Sequence, residues 1–310
     1  MKSRLFFPLV VMVILGSCAP NTKIVQKKEF TPQNPMVVVT TIGMIADVTQ
    51  RIGGERVQVT ALMGPGIDPH LYKAKAGDVN RLDQADLILY SGLHLESKLG
   101  EILEQMAKTR EVRAITTNIP LEKIMEIQPG VPDPHVWFDV MLWELGAQNI
   151  LDTLVALDTP GEAYYRGRFA AYSQEMEDTD DYVRTQVAKV PQEKRILITA
   201  HDAFNYFGKA YGFEVIGLQG ISTVDEAGTK DVSDLAEFIV KNKIPAIFVE
   251  TSVSPKTIEA VKAAVASRGF LVRLGGTLYS DAMGNPGTPE GTYLGMVKHN
   301  IDTIVGALHE

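Results

Sequence analysis

Three histidines stand in loop contexts that present an imidazole outward. His70 closes the run Gly64-Pro65-Gly66-Ile67-Asp68-Pro69-His70, and His135 sits in Pro132-Asp133-Pro134-His135-Val136-Trp137. His201 follows an apolar stretch in Ile198-Thr199-Ala200-His201-Asp202. The first two share the tripeptide Asp-Pro-His, where proline restricts the backbone and holds the imidazole on a stiff loop. Imidazole is the commonest nitrogen ligand for divalent transition metals. Three neutral imidazoles leave a dication undercompensated in charge, so a carboxylate is expected beside them. Asp281, after the apolar stretch Phe270–Leu274 and just before Gly284, is the candidate, although composition does not single it out among 38 acidic residues. The remaining histidines read differently. His94 follows an apolar stretch but lies outside these loop motifs, while His299 falls in a final helical stretch and His309 adjoins the terminus, both as surface residues.

These residues need a scaffold, and the pattern of apolar runs predicts one. Met36–Thr40, Val57–Met63 and Leu87–Tyr90 read as strands, with helical spacing before Ile52 and over Leu95–Met106 and Phe138–Leu157. The second half repeats the alternation. Arg195–Thr199, Phe213–Leu218, Ala246–Val249 and Phe270–Leu274 read as strands, while Asp202–Tyr211, Val232–Val240, Pro255–Ala266 and Tyr293–Leu308 read as helices. Such alternation predicts an α/β fold of mainly parallel sheets flanked by helices, in two lobes. Strand ends in such sheets are where ligands bind, which is where the three histidines fall. Between the halves, Tyr165, Phe169, Tyr172, Met176, Val183, Val187 and Val190 form a helical stripe bounded by Pro160 and Pro191. A helix over 160–190 would be about 45 Å long, enough to serve as a stiff connector. The expected division is an N-terminal lobe over 36–159, the connecting helix over 160–190 and a C-terminal lobe over 191–310.

The chain begins with Lys2 and Arg4, followed by the apolar run Leu5–Leu15. That run is too short for a comfortable membrane span and fits a signal peptide over 1–17. It ends in Leu15-Gly16-Ser17-Cys18, small residues before the only cysteine, as in a bacterial lipobox. Cys18 would then carry a lipid and anchor the exported chain to a membrane, facing the periplasm or the cell exterior. Residues 18–35 are polar and proline-containing and read as a lipid-anchored tether. A lone cysteine excludes a disulfide framework and any cysteine-cluster metal site. The formal charge of −8 argues against nucleic acid as a partner, and 45% hydrophobic residues argue against global disorder.

Four motifs, GPGIDPHLYKAKAGD, DPHVWFD, TAHDAFNYFGKAYG and LGGTLYSDAMG, occur in an order that resembles the cluster A-I metal-binding receptors of bacterial ABC importers, the TroA-like zinc and manganese proteins. The resemblance runs from about Met36 to the C-terminus. It implies two α/β lobes joined by one rigid helix, a metal held between them, and a receptor rather than an enzyme. Carried over motif by motif, it implies His70 and His135 as ligands from the first lobe, and His201 and Asp281 from the second. Glu250, at the end of the Ala246–Val249 strand, matches an acid that orients a ligand histidine in this family; Trp137 and Phe138 read as packing around the site. The implied partners are a membrane permease of an ABC importer and Zn2+ or Mn2+ as transported cargo, with the receptor a monomer. Relatives with glutamate at the third ligand resemble manganese receptors, and His201 here favours zinc. Dedicated zinc receptors of Gram-negative bacteria carry a His-rich loop before the second ligand, and Ile124–Pro134 contains no histidine. Some lipid-anchored relatives are described as adhesins. The alternative reading is a zinc metallohydrolase with the same His/Asp site and Glu250 as base, although no HExxH pattern occurs.

Overall fold

In a computed structural model of the chain, residues 28–224 and 226–309 are described. The signal segment and Cys18 lie outside them. The N-terminal lobe is built on four parallel strands in the order β2-β1-β3-β4: β1 (Met36–Thr40), β2 (Val57–Ala61), β3 (Leu87–Tyr90) and β4 (Val112–Ala114). Crossover helices α1 (Gly43–Gly53), α2 (Ala76–Gln84) and α3 (Ser97–Met106) connect them in turn. β1 lies between two neighbours and its residues are almost wholly buried, the reason the run Met36-Val37-Val38-Val39 lacks polar alternation. Because all four strands are parallel, their C-terminal ends open on one edge.

A short hairpin, β5 (Glu126–Gln128) with β6 (Val131–Pro132), follows, and then α4 (Val140–Leu157), capped by Asp139, which accepts a hydrogen bond from Leu142 N at 3.0 Å. The connecting helix α5 spans Glu162–Val187, 26 residues, and is entered through a 3-10 turn at Thr159–Gly161. It buries Tyr165, Tyr172, Met176, Val183 and Val187, most of the stripe expected from the sequence, against α1, α4 and the final helix.

The C-terminal lobe contains β7 (Ile196–His201), α6 (Asn205–Tyr211), β8 (Glu214–Gln219), α7 (Thr229–Asn242), β9 (Ala246–Glu250), α8 (Lys256–Ser267), β10 (Arg273–Leu278) and α9 (Tyr293–Leu308). β7 pairs with β8 and β9 with β10, both parallel, and β7 lies beside β9. Several strand boundaries differ from the sequence expectation, most by one or two residues. β7 runs on to include His201 itself. β10 begins at Arg273, past Leu271, which is 85% exposed, and ends at Leu278, so Asp281 stands just past its end.

One apolar core runs from the N-terminal sheet through α4, α5 and α9 to β7 and β9, while a second fills the outer side of the C-terminal lobe between its sheet and α7–α8. Continuity of the first core across the lobes, with α5 lying along it, resists hinge bending. Of the tether expected over 18–35, residues 18–27 lie outside the described residues, and the remainder packs on the lobe. Phe30 is buried in the core, Arg56 donates to its carbonyl, and Lys28 pairs with Asp86 at 2.6 Å, so residues from Lys28 onward are part of the lobe. Among the described residues no helix is long and apolar enough to cross a membrane.

Candidate metal centre

The four residues converge, three of them at or beyond the C-terminal ends of parallel strands and His135 ahead of α4. His70 sits in the β2–α2 loop, His135 just before the 3-10 turn Val136–Phe138 that leads into α4, His201 at the last position of β7, and Asp281 three residues past β10. All four are buried, Asp281 at 1% exposure, and one donor atom from each lies within 4.8 Å of the other three. His70 Nε2 is 3.3 Å from His135 Nε2 and 3.8 Å from Asp281 Oδ2. His135 Nε2 is 3.4 Å from Asp281 Oδ1, and His201 Nε2 is 3.3 Å from Asp281 Oδ2. Neither Asp281 oxygen nor His201 Nε2 has a hydrogen-bond partner. Buried polar atoms are seldom left so.

The Asp-Pro-His tripeptide explains how two of the rings are aimed. In each copy the aspartate accepts a hydrogen bond from the histidine backbone two residues on: Asp68 Oδ1 from His70 N at 2.8 Å, and Asp133 Oδ1 from His135 N at 2.9 Å. This is an Asx turn, a local closure that short acidic side chains favour. Asp133 goes further, and Oδ1 also contacts His135 Nδ1 at 2.8 Å. Glu250, at the end of β9, does the same for His201: Oε1 accepts from His201 N at 2.9 Å and Oε2 lies 2.5 Å from Nδ1. A carboxylate on Nδ1 fixes the ring and leaves Nε2 free to face inward.

Electrostatics sort the four groups. Burial drives His70 down to about 4, against the pull of Asp281. Burial also opposes charging of His135, but Asp133 and Asp281 outweigh it and hold this imidazole up at about 9. His201 is raised well above its ordinary value because Glu250 and Asp281 together overcome burial. Burial alone would raise Asp281, yet His201 and His135 keep its carboxyl well below the usual range. Without metal, protons on His135 and His201 balance the carboxylates, the place a cation would take.

The donor set fits such a cation. Zinc holds nitrogen and oxygen at about 2.0–2.2 Å, so donors at the corners of a tetrahedron stand about 3.3–3.6 Å apart. Three of the separations fall in that range, two of them to different oxygens of Asp281, and the fourth, from His70 Nε2 to Asp281 Oδ2, is longer at 3.8 Å.

Several contributors were not read from the sequence. Asp133 is one, although the repeated Asp-Pro-His carried the signal. Trp137, read as packing, lies 5.3 Å edge-on to the His135 ring and donates its indole N–H to Ser280 O at 3.0 Å, the carbonyl preceding Asp281. The hydroxyl of Tyr206 donates to Asp133 O at 3.0 Å. Phe138 stacks on Phe204 at 4.2 Å between centroids. His94 stays apart, exposed with φ of 65° on the wall of a cavity of about 410 Å³ that His70 also lines. His299 bonds to Thr277 O at 3.1 Å, and His309 is exposed.

The family model described as "ZnuA: Zinc-uptake complex component A periplasmic" matches residues 38–307. The zinc-binding protein TroA of Treponema pallidum is 49% identical over 298 residues, covering 96% of both chains. The manganese-binding lipoprotein MntA of Bacillus subtilis is 45% identical over 273 residues, covering 87% of this chain and 89% of its own. The solved structure of the periplasmic zinc-binding protein TroA from Treponema pallidum superposes with a TM-score of 0.87 at 51% identity, covering 88% of this chain and 99% of that one. With a match across nearly all of both lobes and relatives this similar along almost their full length, the chain belongs to the ZnuA family of periplasmic zinc-uptake components.

Proposed function

We propose that this protein is an extracytoplasmic receptor that captures one divalent transition metal between its lobes and delivers it to the permease of an ABC importer. His70, His135, His201 and Asp281 are its ligands, and Asp133 and Glu250 hold two of the rings in place. The observation that carries this reading is the convergence of three imidazoles and one carboxylate, all buried, with one donor atom from each within 4.8 Å of the other three. The names of its relatives add zinc for one and manganese for another. The cargo is zinc or manganese, and a compact set of three nitrogens and one carboxylate favours zinc, since manganese prefers more oxygen donors.

Capture works through charge and shape. The carboxylate and the fixed imidazoles replace the water around the ion, and Asp281 neutralises half its charge. The continuous core and α5 keep the lobes from swinging widely, so uptake and release depend on small movements of the ligand loops. A metallohydrolase would need an open coordination position and a free base. Here four protein donors converge, and Glu250 faces His201 with both oxygens, Oε1 accepting from the backbone N–H and Oε2 lying 2.5 Å from Nδ1. Cys18 anchors the receptor to the membrane as a lipoprotein, the word used of the relative in Bacillus subtilis, and it acts there as a monomer.

Metal analysis of protein purified without added metal, then competition between zinc and manganese, tests the reading. A stoichiometric metal with zinc displacing manganese is expected. Hydrolytic turnover supported by the bound ion, or no ion at all, would overturn it.

A further inference from the structure

The lobes are tied together around the site by hydrogen bonds on two sides. On the inner side two donors are fully buried aromatic residues, Trp137 to Ser280 O and Tyr206 to Asp133 O, and Asn205 Nδ2 adds a bond to Asp133 Oδ2 at 3.3 Å. These ties hold the backbone next to Asp281 and His135. The outer side is open by comparison, with a cavity of about 410 Å³ bounded by His70, His94 and Pro134 from one lobe and Ile221, Ser222 and Val224 from the other. Beside it, among the described residues, one side-chain hydrogen bond crosses the cleft. The Thr223 hydroxyl donates to Asp68 Oδ2 at 2.5 Å, while Asp68 Oδ1 accepts from His70 N. The same loop abuts the opposite lobe again at Gly66, where a Cβ would lie 3.5 Å from Thr251 O.

We infer that Thr223 is a positioning residue, a latch that holds the His70 loop against the C-terminal lobe and slows the escape of bound metal. The inference rests on the ligand set proposed above. One carboxylate joins the two halves of the device. Its first oxygen sets the His70 backbone, and its second is held from across the cleft by a buried hydroxyl. A hydrogen bond to an ionised acceptor is among the stronger ones in proteins. When it breaks, the 64–70 loop loses its tie to the opposite lobe, while the inner aromatic ties keep His135 and Asp281 where they are. His70 is therefore the ligand that leaves first, through the cavity it lines. Losing the latch speeds release far more than it slows capture, the usual partition when a contact forms only in the closed complex.

The test measures zinc release into a large excess of a fluorescent chelator, with zinc stoichiometry and capture rate determined alongside. Thr223→Val and Thr223→Ala are expected to release zinc about tenfold faster than the unaltered chain, and Thr223→Ser within about twofold of it. All three should bind the same amount of zinc, with capture rates nearly unchanged. Rescue by serine separates the hydroxyl from the bulk of the side chain, and the alanine variant guards against a steric effect of valine. Equal release rates in all four proteins at full stoichiometry would overturn the latch and leave the ligand set standing. An unaltered chain that binds no zinc would overturn both.

Discussion

Glu250 grips His201 at both ends: one carboxylate oxygen takes the backbone N–H at 2.9 Å and the other lies 2.5 Å from ring Nδ1. A single side chain on β9 thus sets the position and the tautomer of a histidine on β7. Glu250→Gln places an amide opposite Nδ1 and removes the charge, so zinc affinity should fall about 10- to 100-fold, the usual cost of losing a partner behind a metal-binding histidine. Chelator competition at fixed pH measures it. A change below twofold would mean that the β7 backbone alone positions the ring.

His70→Ala and Asp281→Ala each remove one corner of the cluster. Asp281 also carries the negative charge that offsets the cation, so its loss should be the more severe, with bound metal falling below about a tenth of the chain concentration at micromolar zinc. The far-ultraviolet circular dichroism should stay that of an α/β fold, since both side chains lie outside the apolar core. Retention of full metal stoichiometry in both variants is the result that defeats the ligand assignment.

Proton release follows from the raised imidazoles. In the metal-free protein at pH 7, His135, held at about 9, and His201, held above its ordinary value, are protonated, whereas His70, at about 4, is not. A nitrogen binds metal only after losing its proton, so binding should expel about two protons and affinity should rise about a hundredfold per pH unit near neutrality. The same pairs stabilise the metal-free fold below the ordinary histidine value, and His135's share is lost as pH climbs through about 9. Calorimetry in buffers of different ionisation enthalpy counts the protons. A binding constant that is flat from pH 7.5 to pH 5 would contradict an imidazole set.

Removing the metal should cost thermal stability. The ion binds the folded chain, where all four donors converge, and an unfolded chain offers no such site. At free zinc a hundredfold above the dissociation constant, the melting temperature should rise by about 5–10 °C, and a chelator should reverse the shift. Scanning calorimetry of the same sample before and after chelation decides the matter. A shift that survives in the Asp281→Ala variant would place the stabilising ion elsewhere.

The tether can be tested separately. Cys18→Ser should abolish labelling of the chain by radioactive palmitate in a bacterial host and move it from the detergent phase to the aqueous phase, with zinc binding by the released protein unaltered. Continued labelling would remove the lipid anchor from Cys18.

Much of this molecule is legible in one dimension because its signals are local. Short apolar runs predict the strands, a period-3.6 stripe predicts the long helix α5, and Pro160 and Pro191 bracket that helix within a few residues. The histidines announce themselves through stiff Asp-Pro-His loops and a strand end. Even Asp133 was readable, since a repeated tripeptide shows that the aspartate two residues before the histidine has a local duty. The boundaries that went astray did so where one face decides. Phe270-Leu271-Val272 is apolar, but only the fold determines that Leu271 points to solvent and the strand starts later.

Pairings between distant segments were a different matter. Choosing Asp281 among 38 acids, joining Glu250 to His201, setting the Trp137 indole against Ser280 and laying Thr223 on Asp68 each brings together groups far apart in the chain. No periodicity encodes such contacts. They arise because loops and strand ends from both lobes converge on one place and a shared apolar core fixes the distance between the lobes. The sequence by itself determined which residue types were available, how their loops were stiffened and which elements would carry them. The tertiary structure decided which carboxylates face which imidazoles, because that depends on lobe packing and on the energetic cost of leaving buried charges without partners.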